Sequence, residues 1–317
     1  MNEAYLEVLR PGINTTIQDK GRFHLYHIGI TASGAMDQSK FQISNALVNN
    51  DLNEGALEFA YQGPCLKLVN GNINIAITGN INFNILRKNS TTEEGICFKS
   101  YFLEDGDQID IISTKNSVFG YFAVQGGFKT DKIWNSLSIN TKAKVGPNNG
   151  EKFSLGQKIY INKSKTEKLL EKKIDFNFLN ENIIRVIKGT NYNYFSESAL
   201  NIFFKEEYTV SNLSDRMGMR LEGPKLENIT NTNIKSEGLV KGVIQVPADG
   251  KPIIMLSDHG TIGGYPKIAV IISADLDKVA QLPPGSKIKF EEVSLINAEN
   301  YFKDHIKNIK KYIREIK

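Results

Sequence analysis

The sequence predicts a mainly β protein, of the β-rich α+β class, with a few short helices and a C-terminal helix. Short runs of β-branched and aromatic residues alternate with Gly, Asn and Asp along the chain, as in strands joined by tight turns. Segments with helical spacing are few, so the strands are expected to dominate. Strand density of this kind favours a barrel architecture, and 317 residues are enough for two domains.

The predicted strands lie in both halves of the chain. In the first half they are 72–77, 81–86, 108–112 and 118–124. In 72–77 (NINIAI) and 81–86 (INFNIL) Asn alternates with Ile or Phe, so both should be half-buried antiparallel strands with one polar face. In the second half the predicted strands are 183–187, 200–204, 243–246, 252–256 and 286–290.

Three helices are predicted between and after these strands. The first, 37–48, starts at Asp37, a favourable N-cap residue, and a short second helix covers 276–282. The third, 297–316, is basic and amphipathic, because its apolar residues recur every three or four positions. We expect it to dock as a terminal helix, with binding to a partner or a membrane as the alternative.

The domain boundary is expected within the Lys-rich, apolar-poor stretch 161–175. It predicts an N-terminal β domain, 1–165, and a C-terminal β domain, 166–317, that carries the amphipathic helix.

Composition excludes several classes of protein. The 39 Lys and Arg against 35 Asp and Glu give a net charge of +4 that is spread along the chain, unlike the basic face of a nucleic-acid binder. Two cysteines cannot form a disulfide framework, and no segment resembles a signal peptide or a membrane helix. We therefore expect a soluble cytoplasmic protein without a metal site. The sequence contains no P-loop, so the chain is not expected to bind ATP by itself in that way.

Three polar, Gly-rich clusters are not explained by core packing. The first, 10–22 with 33–37, contains Arg22 and Asp37 as candidate binding residues. Its arginines and carboxylates can pair with each other or hold a substrate carboxylate in the same geometry, and the residues alone leave both interpretations open.

The second cluster, 211–224, places Arg216 and Arg220 beside Asp215. The third, 234–266, contains Gln245, Asp258 and the segment Gly263-Gly264-Tyr265. Paired glycines allow close backbone approach and expose N–H groups, as an anion or oxyanion site requires. Tyr265 is a candidate acid, base or hydrogen-bond anchor, and Asp258 is a candidate base.

Further blocks follow in a fixed order along the chain: 8–22, 33–37, 44–50, 56–58 with 63–64, 76–79, 121–127, 214–224, 236–238, 242–247, 263–269 and 272–276. Taken in this order, the blocks resemble the biotin-dependent carboxyltransferase family, which includes the C subunit of 5-oxoprolinase, the second subunit of allophanate hydrolase and the antagonist of the sporulation-kinase inhibitor. The resemblance implies tandem cyclophilin-like β-barrel domains. It also implies a B-type partner subunit that resembles a kinase inhibitor, with the active groove between the two chains.

The resemblance implies work on an amide or lactam. In the 5-oxoprolinase branch an A-type partner also joins, and the complex opens 5-oxoproline to glutamate with ATP, so this chain would be its C subunit and inactive alone. The first alternative is a carboxyltransferase subunit that uses biotin and acts on urea or a related amide. The second is a non-catalytic regulator that binds a kinase-inhibitor protein.

On this interpretation Arg216 and Arg220 hold an anionic group of the substrate. The N–H groups of Gly263 and Gly264 polarise the carbonyl together with Tyr265, while Asp258 or Asp215 acts as the base. Gln245, Arg22 and Asp37 complete the predicted substrate-binding set.

Overall fold

A computed structural model describes residues 3–163, 166–177, 182–229 and 233–316. The chain forms two compact units. Unit 1 comprises residues 1–22, 33–177 and 309–317, and unit 2 comprises 23–32 and 178–308. This division differs from the predicted domains, 1–165 and 166–317, at the segments 23–32, 166–177 and 309–317. The predicted boundary stays a prediction about which segments fold independently.

Unit 1 contains two antiparallel sheets. Its strands are β1 (Tyr5–Arg10), β2 (Thr16–Gln18), β3 (Ala56–Ala60), β4 (Cys65–Val69), β5 (Ile73–Thr78), β6 (Ile81–Leu86), β7 (Thr92–Glu94), β8 (Lys99–Leu103), β9 (Gln108–Thr114), β10 (Phe119–Val124) and β11 (Lys158–Tyr160). One sheet has the order β11-β1-β4-β9-β6-β7 and the other β2-β3-β10-β5-β8. Apolar residues of both sheets form a single buried cluster, which is the core of the unit.

The two Asn-containing strands differ in burial. In β6 the buried Ile and Phe alternate with half-buried residues, which confirms the predicted alternation. In β5 every residue is buried, so the prediction of one solvated face was wrong for this strand. Asn74 is accommodated because its amide nitrogen donates to Gln125 Oε1 at 2.8 Å and to the Glu167 carbonyl at 2.7 Å.

Unit 2 is built around a closed barrel. Its strands are β12 (Ile183–Lys188), β13 (Tyr208–Val210), β14 (Gly218–Glu222), β15 (Glu237–Gly238), β16 (Val243–Gln245), β17 (Ile253–Met255), β18 (Ile262–Gly263), β19 (Lys267–Ile271) and β20 (Lys287–Glu292). The barrel has the order β12-β19-β16-β17-β14-β13-β20, and β12 closes it by pairing in parallel with β20. Strands β15 and β18 form a separate two-stranded sheet. The mainly β prediction is confirmed.

The described residues form four α-helices: α1 (Gln38–Leu47), α2 (Glu197–Lys205), α3 (Leu276–Ala280) and α4 (Leu295–Arg314). Three of them match predicted helices, and Asp37 is the N-cap of α1, accepting from the Lys40 backbone N–H at 3.0 Å. The prediction of a strand at 200–204 was wrong, because these residues lie in α2. Ser196 caps α2 through the Ala199 N–H, and the Phe203 ring stacks on Phe290 with centroids 4.5 Å apart.

The C-terminal helix α4 packs through only part of its predicted apolar face. Ile309 is buried, whereas Phe302 remains exposed. In unit 1 the ring of Tyr312 lies 5.0 Å from that of Phe176, and in unit 2 the Arg185 guanidinium lies 3.9 Å from the centre of the Tyr301 ring. Over the described ranges, no helix combines the length and apolarity needed to cross a membrane.

Candidate functional site

A buried ion pair in unit 2 joins two of the predicted site residues. Arg216 precedes β14 and Asp258 follows β17, and because these two strands are neighbours in the barrel their ends meet. The guanidinium binds the carboxylate through two contacts, Nε to Oδ2 at 2.8 Å and Nη2 to Oδ1 at 3.1 Å. The Asp258 N–H also donates to the Arg216 carbonyl at 2.8 Å, so backbone and side chains together hold the two segments.

This pairing bears on the roles predicted for the two residues. Both side chains are buried, and each oxygen of the Asp258 carboxylate already accepts from Arg216. Because both carboxylate oxygens are bound to a guanidinium of the same chain, the contacts favour a positioning role for the pair. Arg220, in β14, is exposed, and the structure does not place it in the same environment as Arg216.

Asp215 stabilises the turn that leads into β14. Its Oδ1 accepts from the backbone N–H of Met217 at 2.8 Å and of Gly218 at 3.3 Å. Its own N–H donates to the Gly218 carbonyl at 3.1 Å. These bonds account for Asp-Arg-Met-Gly as a tight turn, and they give the Asp215 carboxylate a structural task beside its predicted role as a base.

The predicted glycine pair lies at the small two-stranded sheet of unit 2, formed by β15 and β18. Gly263 is the second residue of β18 and pairs with Glu237 of β15, while the Gly264 carbonyl accepts from the Ile234 N–H at 2.9 Å. Tyr265 follows, 39% exposed, and its carbonyl accepts from Gln245 Nε2 at 3.2 Å. The structure thus brings Gln245, Gly263, Gly264 and Tyr265 close together in unit 2, and their role in binding stays a prediction.

Gly263 is needed because Gln245 fills the space beside it. A Cβ atom at position 263 would lie 2.6 Å from Gln245 Nε2 and 2.8 Å from a methyl carbon of Leu239. Any side chain there would displace the buried carboxamide, so the glycine allows a polar amide to approach the backbone of β18.

A lysine–glutamate pair at the β15–β18 sheet was missed by the sequence analysis. Lys267 Nζ donates to Glu237 Oε2 at 2.7 Å. The backbone N–H of Lys267 donates to Asn191 Oδ1 at 3.1 Å, and the Asn191 side chain also bonds Glu237. Lys267 is the main cause that lowers the pKa of Glu237, which therefore stays ionised. Lys267 was visible only as part of a matching block, since its partner lies 30 positions away.

His259 follows Asp258 and is also buried in unit 2. Its Nδ1 lies 2.6 Å from the Gly260 carbonyl, which can only accept, so Nδ1 carries the proton. Nε2 faces the Tyr26 hydroxyl at 3.4 Å, and the two rings stack. Burial lowers the pKa of His259 below its ordinary value, which keeps the imidazole neutral near pH 7. Among the described residues, none bonds the buried Oγ atom of the preceding Ser257.

The two predicted binding residues of unit 1 are both buried and have different partners. Arg22 donates through Nη2 to the Ser138 carbonyl. Asp37 forms an ion pair with Lys40, and its N–H donates to the Tyr121 hydroxyl at 2.8 Å. That hydroxyl in turn donates to Glu58 at 2.8 Å, and burial with the nearby carboxylates raises the pKa of Tyr121 well above its ordinary value.

Asp19 is the centre of a second buried network in unit 1. Its carboxylate accepts from the Gly21 N–H at 2.8 Å, the Ser136 and Ser138 hydroxyls at 2.7 and 2.5 Å, and the Leu137 N–H at 2.7 Å. The sequence predicted Asp–Arg pairs or a substrate site in this region. The Asp19 carboxylate is instead bound by hydroxyl and backbone donors, so its contacts support a structural role.

Comparison with known proteins matches the chain over most of its length. A family model described as carboxyltransferase domain, subdomain A and B, matches residues 28–292. The C subunit of the 5-oxoprolinase of Escherichia coli is 32% identical over 295 residues, which cover 92% of this chain and 93% of that protein.

Longer proteins match over one segment. The urea amidolyase of Saccharomyces cerevisiae is 28% identical over 316 residues, which cover 91% of this chain but 17% of that protein. The crystal structure of the K. lactis urea amidolyase superposes with a TM-score of 0.88 and 26% identity, over 98% of this chain and 20% of that one. This chain therefore spans about a fifth of those enzymes.

Proposed function

We propose that this chain, which belongs to the carboxyltransferase-domain family with subdomains A and B, is the C subunit of a 5-oxoprolinase. The complex opens the lactam 5-oxoproline to glutamate at the expense of ATP. The observation that carries the proposal is the similarity to the C subunit of E. coli, which extends over 93% of that protein. A match of this extent leaves no large segment of the relative without a counterpart.

The chain works within a complex and is inactive alone. Its partners are a B subunit, resembling a kinase inhibitor, and an A subunit. ATP is bound by the complex, and the sequence of this chain contains no P-loop. The catalysed reaction is hydrolysis of a cyclic amide, and the substrate is a small molecule with both a lactam and a carboxylate.

The β15–β18 sheet of unit 2, with Tyr265 after it, supplies the groups that this reaction needs. A lactam carbonyl is poorly reactive, so it must be polarised by donors positioned in advance. The N–H group of Gly264 and the hydroxyl of the half-exposed Tyr265 provide these donors, while Gly263 leaves room for Gln245, which holds the Tyr265 backbone. The exposed Arg220 holds the substrate carboxylate.

The Arg216–Asp258 pair positions the segment that leads to β18. Its contacts fix the ends of two barrel strands, and residue 258 lies five positions before Gly263. Asp215 shapes the turn that precedes Arg220 and contributes the remaining carboxylate near this strand. Arg22 and Asp37, the predicted binding residues of unit 1, act by holding their own segments, Arg22 at the Ser138 carbonyl and Asp37 at the Tyr121 hydroxyl.

The experiment is to express the chain with its A-type and B-type partners and to measure glutamate formed from 5-oxoproline with and without ATP. We expect ATP-dependent glutamate formation that stops when this chain is omitted. The Arg220→Ala variant should lose most of the activity by raising the KM for 5-oxoproline, while Arg314→Ala, in the exposed end of α4, should not. Turnover that is unchanged without this chain would contradict the proposal.

A second function is favoured by the fold comparison. The match to the K. lactis urea amidolyase, with a TM-score of 0.88, supports a biotin-dependent carboxyltransferase that acts on urea or a related amide. In that case the chain would need a biotinylated carrier protein and a biotin carboxylase from other chains. Formation of a stable complex that makes no glutamate, but consumes carboxybiotin when urea is added, would favour this function over the first.

A further inference from the structure

The Lys267–Glu237 pair has an unusual distribution of exposure. The Lys267 side chain is 4% exposed, whereas that of its partner Glu237 is 42% exposed. Other Lys–Glu pairs of unit 2, such as Lys188–Glu292, Lys251–Glu222 and Lys287–Glu207, have lysines between 38% and 64% exposed. Burying an ammonium group carries a large desolvation cost, and a half-exposed partner recovers little of it. Stability alone therefore does not account for the buried lysine.

The pair holds one carboxylate in a fixed orientation at the protein surface. Lys267 Nζ binds Oε2 at 2.7 Å, and Asn191 adds a second side-chain hydrogen bond to the same carboxylate. Asn191 is itself fixed, because its Oδ1 accepts from the Lys267 N–H and its own N–H donates to the Lys267 carbonyl at 3.2 Å. The result is a preorganised anionic acceptor that remains open to solvent.

The position of this acceptor suggests what it binds. Glu237 is the register partner of Gly263, and the Gln245 carboxamide occupies the space next to the same glycine. Gln245 is in turn the register partner of Lys267. A carboxylate acceptor and the amide donor of Gln245 thus meet at Gly263. A cyclic amide needs this combination, since its ring holds the N–H and the C=O on one edge.

We propose that Glu237 recognises the N–H of a cyclic amide substrate, and that Lys267 and Asn191 are the positioning residues that hold its carboxylate. The inference rests on the proposed function, since the N–H is the group that distinguishes a lactam from other substrates at the β15–β18 sheet. The donors at Gly264 and Tyr265 face the carbonyl, and Glu237 faces the nitrogen.

The test uses the complex reconstituted from this chain and its A-type and B-type partners, with Glu237→Gln as the main variant. Glutamine keeps the size of the side chain but removes the anionic acceptor. We expect the KM for 5-oxoproline to rise about 10- to 100-fold, the loss of one hydrogen bond to a charged group, while kcat changes little. N-methyl-5-oxoproline, which lacks the N–H, should inhibit the variant and the wild type with similar constants.

The matched control is Glu207→Gln, since Glu207 is also a half-exposed glutamate paired with a lysine, Lys287, in unit 2. It should leave the KM unchanged. For the positioning role, Lys267→Met should raise the KM as Glu237→Gln does, and Lys267→Arg should restore part of the affinity, which a purely structural lysine would not predict. A Glu237→Gln complex with the wild-type KM, and the wild-type ratio between the two ligands, would overturn the proposal.

Failure of the proposed function gives a different result. If the complex forms no glutamate, binding of 5-oxoproline and its N-methyl derivative to the wild-type and Glu237→Gln chains is measured by ligand-observed NMR. Selective binding of 5-oxoproline that is lost in the variant would support the recognition role even though the 5-oxoprolinase assignment had failed. Absence of binding to the wild-type chain would overturn both.

Discussion

Buried polar residues are arranged differently in the two units. In unit 1 the carboxylates of Asp19 and Glu58 are enclosed, and each accepts from backbone N–H groups as well as from hydroxyls. In unit 2, by contrast, Lys267 is buried while its partner Glu237 is exposed to solvent, and Tyr265, after β18, is also partly exposed.

The difference separates a structural use of polar residues from a binding use. A carboxylate that is saturated with short hydrogen bonds from its own chain has no capacity left for a ligand, and its loss should be felt in stability. A carboxylate that is fixed on one side and open on the other can bind, and its loss should be felt in substrate affinity. Four experiments test this distinction, beginning with the largest expected change.

Asp19→Ala should cause the largest loss of stability. It removes the acceptor of four hydrogen bonds and leaves two hydroxyls and two backbone N–H groups buried without it. We expect the free energy of unfolding of unit 1 to fall by roughly 5 kcal/mol, measured by urea denaturation. Asp131→Ala, at an exposed aspartate of the same unit, should change it by less than about 0.5 kcal/mol. Similar values for the two variants would contradict a structural role.

Arg216→Ala should be the next most destabilising change. It leaves the buried Asp258 carboxylate without its bidentate partner, at an expected cost of about 3 kcal/mol in the free energy of unfolding. The double variant Arg216→Met with Asp258→Leu should recover much of this loss, because no buried charge remains. If Arg216→Ala abolished activity at full stability, Arg216 would instead contact the substrate.

Stability should fall in mildly acidic solution through His259. Burial lowers the pKa of His259 below the ordinary 6.5. Below pH 6.5 the unfolded chain therefore binds a proton at His259 more readily than the folded chain does. The contribution is complete above pH 6.5 and is lost as the pH decreases, by at most about 1.4 kcal/mol per pH unit. Thermal melts of the wild type and His259→Asn between pH 7 and about pH 5 should show a smaller slope for the variant. Equal slopes would show that His259 titrates as if exposed.

Gly263→Ala should have the smallest effect on stability and a clear effect on binding. The added Cβ meets Gln245 Nε2 and the Leu239 side chain, and flexible side-chain ends can move. We expect a change of less than about 1 kcal/mol in the free energy of unfolding, together with a raised KM for 5-oxoproline in the reconstituted complex. A loss of stability as large as that of Asp19→Ala would place Gly263 among the structural residues.

Much of the fold could be predicted because its signals are local. Alternation and turn residues located most strands, and the Asp37 cap located α1. The strand predicted at 200–204 failed because Ile202, Phe203 and Phe204 suit either structure, and the Ser196 cap before them was the overlooked signal. The burial of β5 on both faces could not be predicted, since it depends on what packs against the sheet.

The site could be predicted in its segments but not in its contacts. The Gly263-Gly264-Tyr265 segment was recognisable from residue type and from family resemblance. The Arg216–Asp258 and Lys267–Glu237 pairs join residues 42 and 30 positions apart, and only the order of strands in the barrel brings them together. The sequence therefore indicated which residues are unusual, while the barrel determines which of them are already bound to each other.

The parallel closure of the barrel also constrains synthesis of the chain. The strand β12 has two neighbours, β19 and β20, and both are translated after it. Ile183 cannot pair with its register partner, Lys289, until that residue has been made. At about 5 to 20 residues per second, the ribosome needs roughly 5 to 20 seconds to make the intervening segment. Until β19 is made, an apolar strand, IIRVIK, has no neighbouring strand, and its second neighbour, β20, follows later still. Arg185 and Lys188 place charges within it, and charged residues of this kind act as gatekeepers that discourage pairing with other nascent chains.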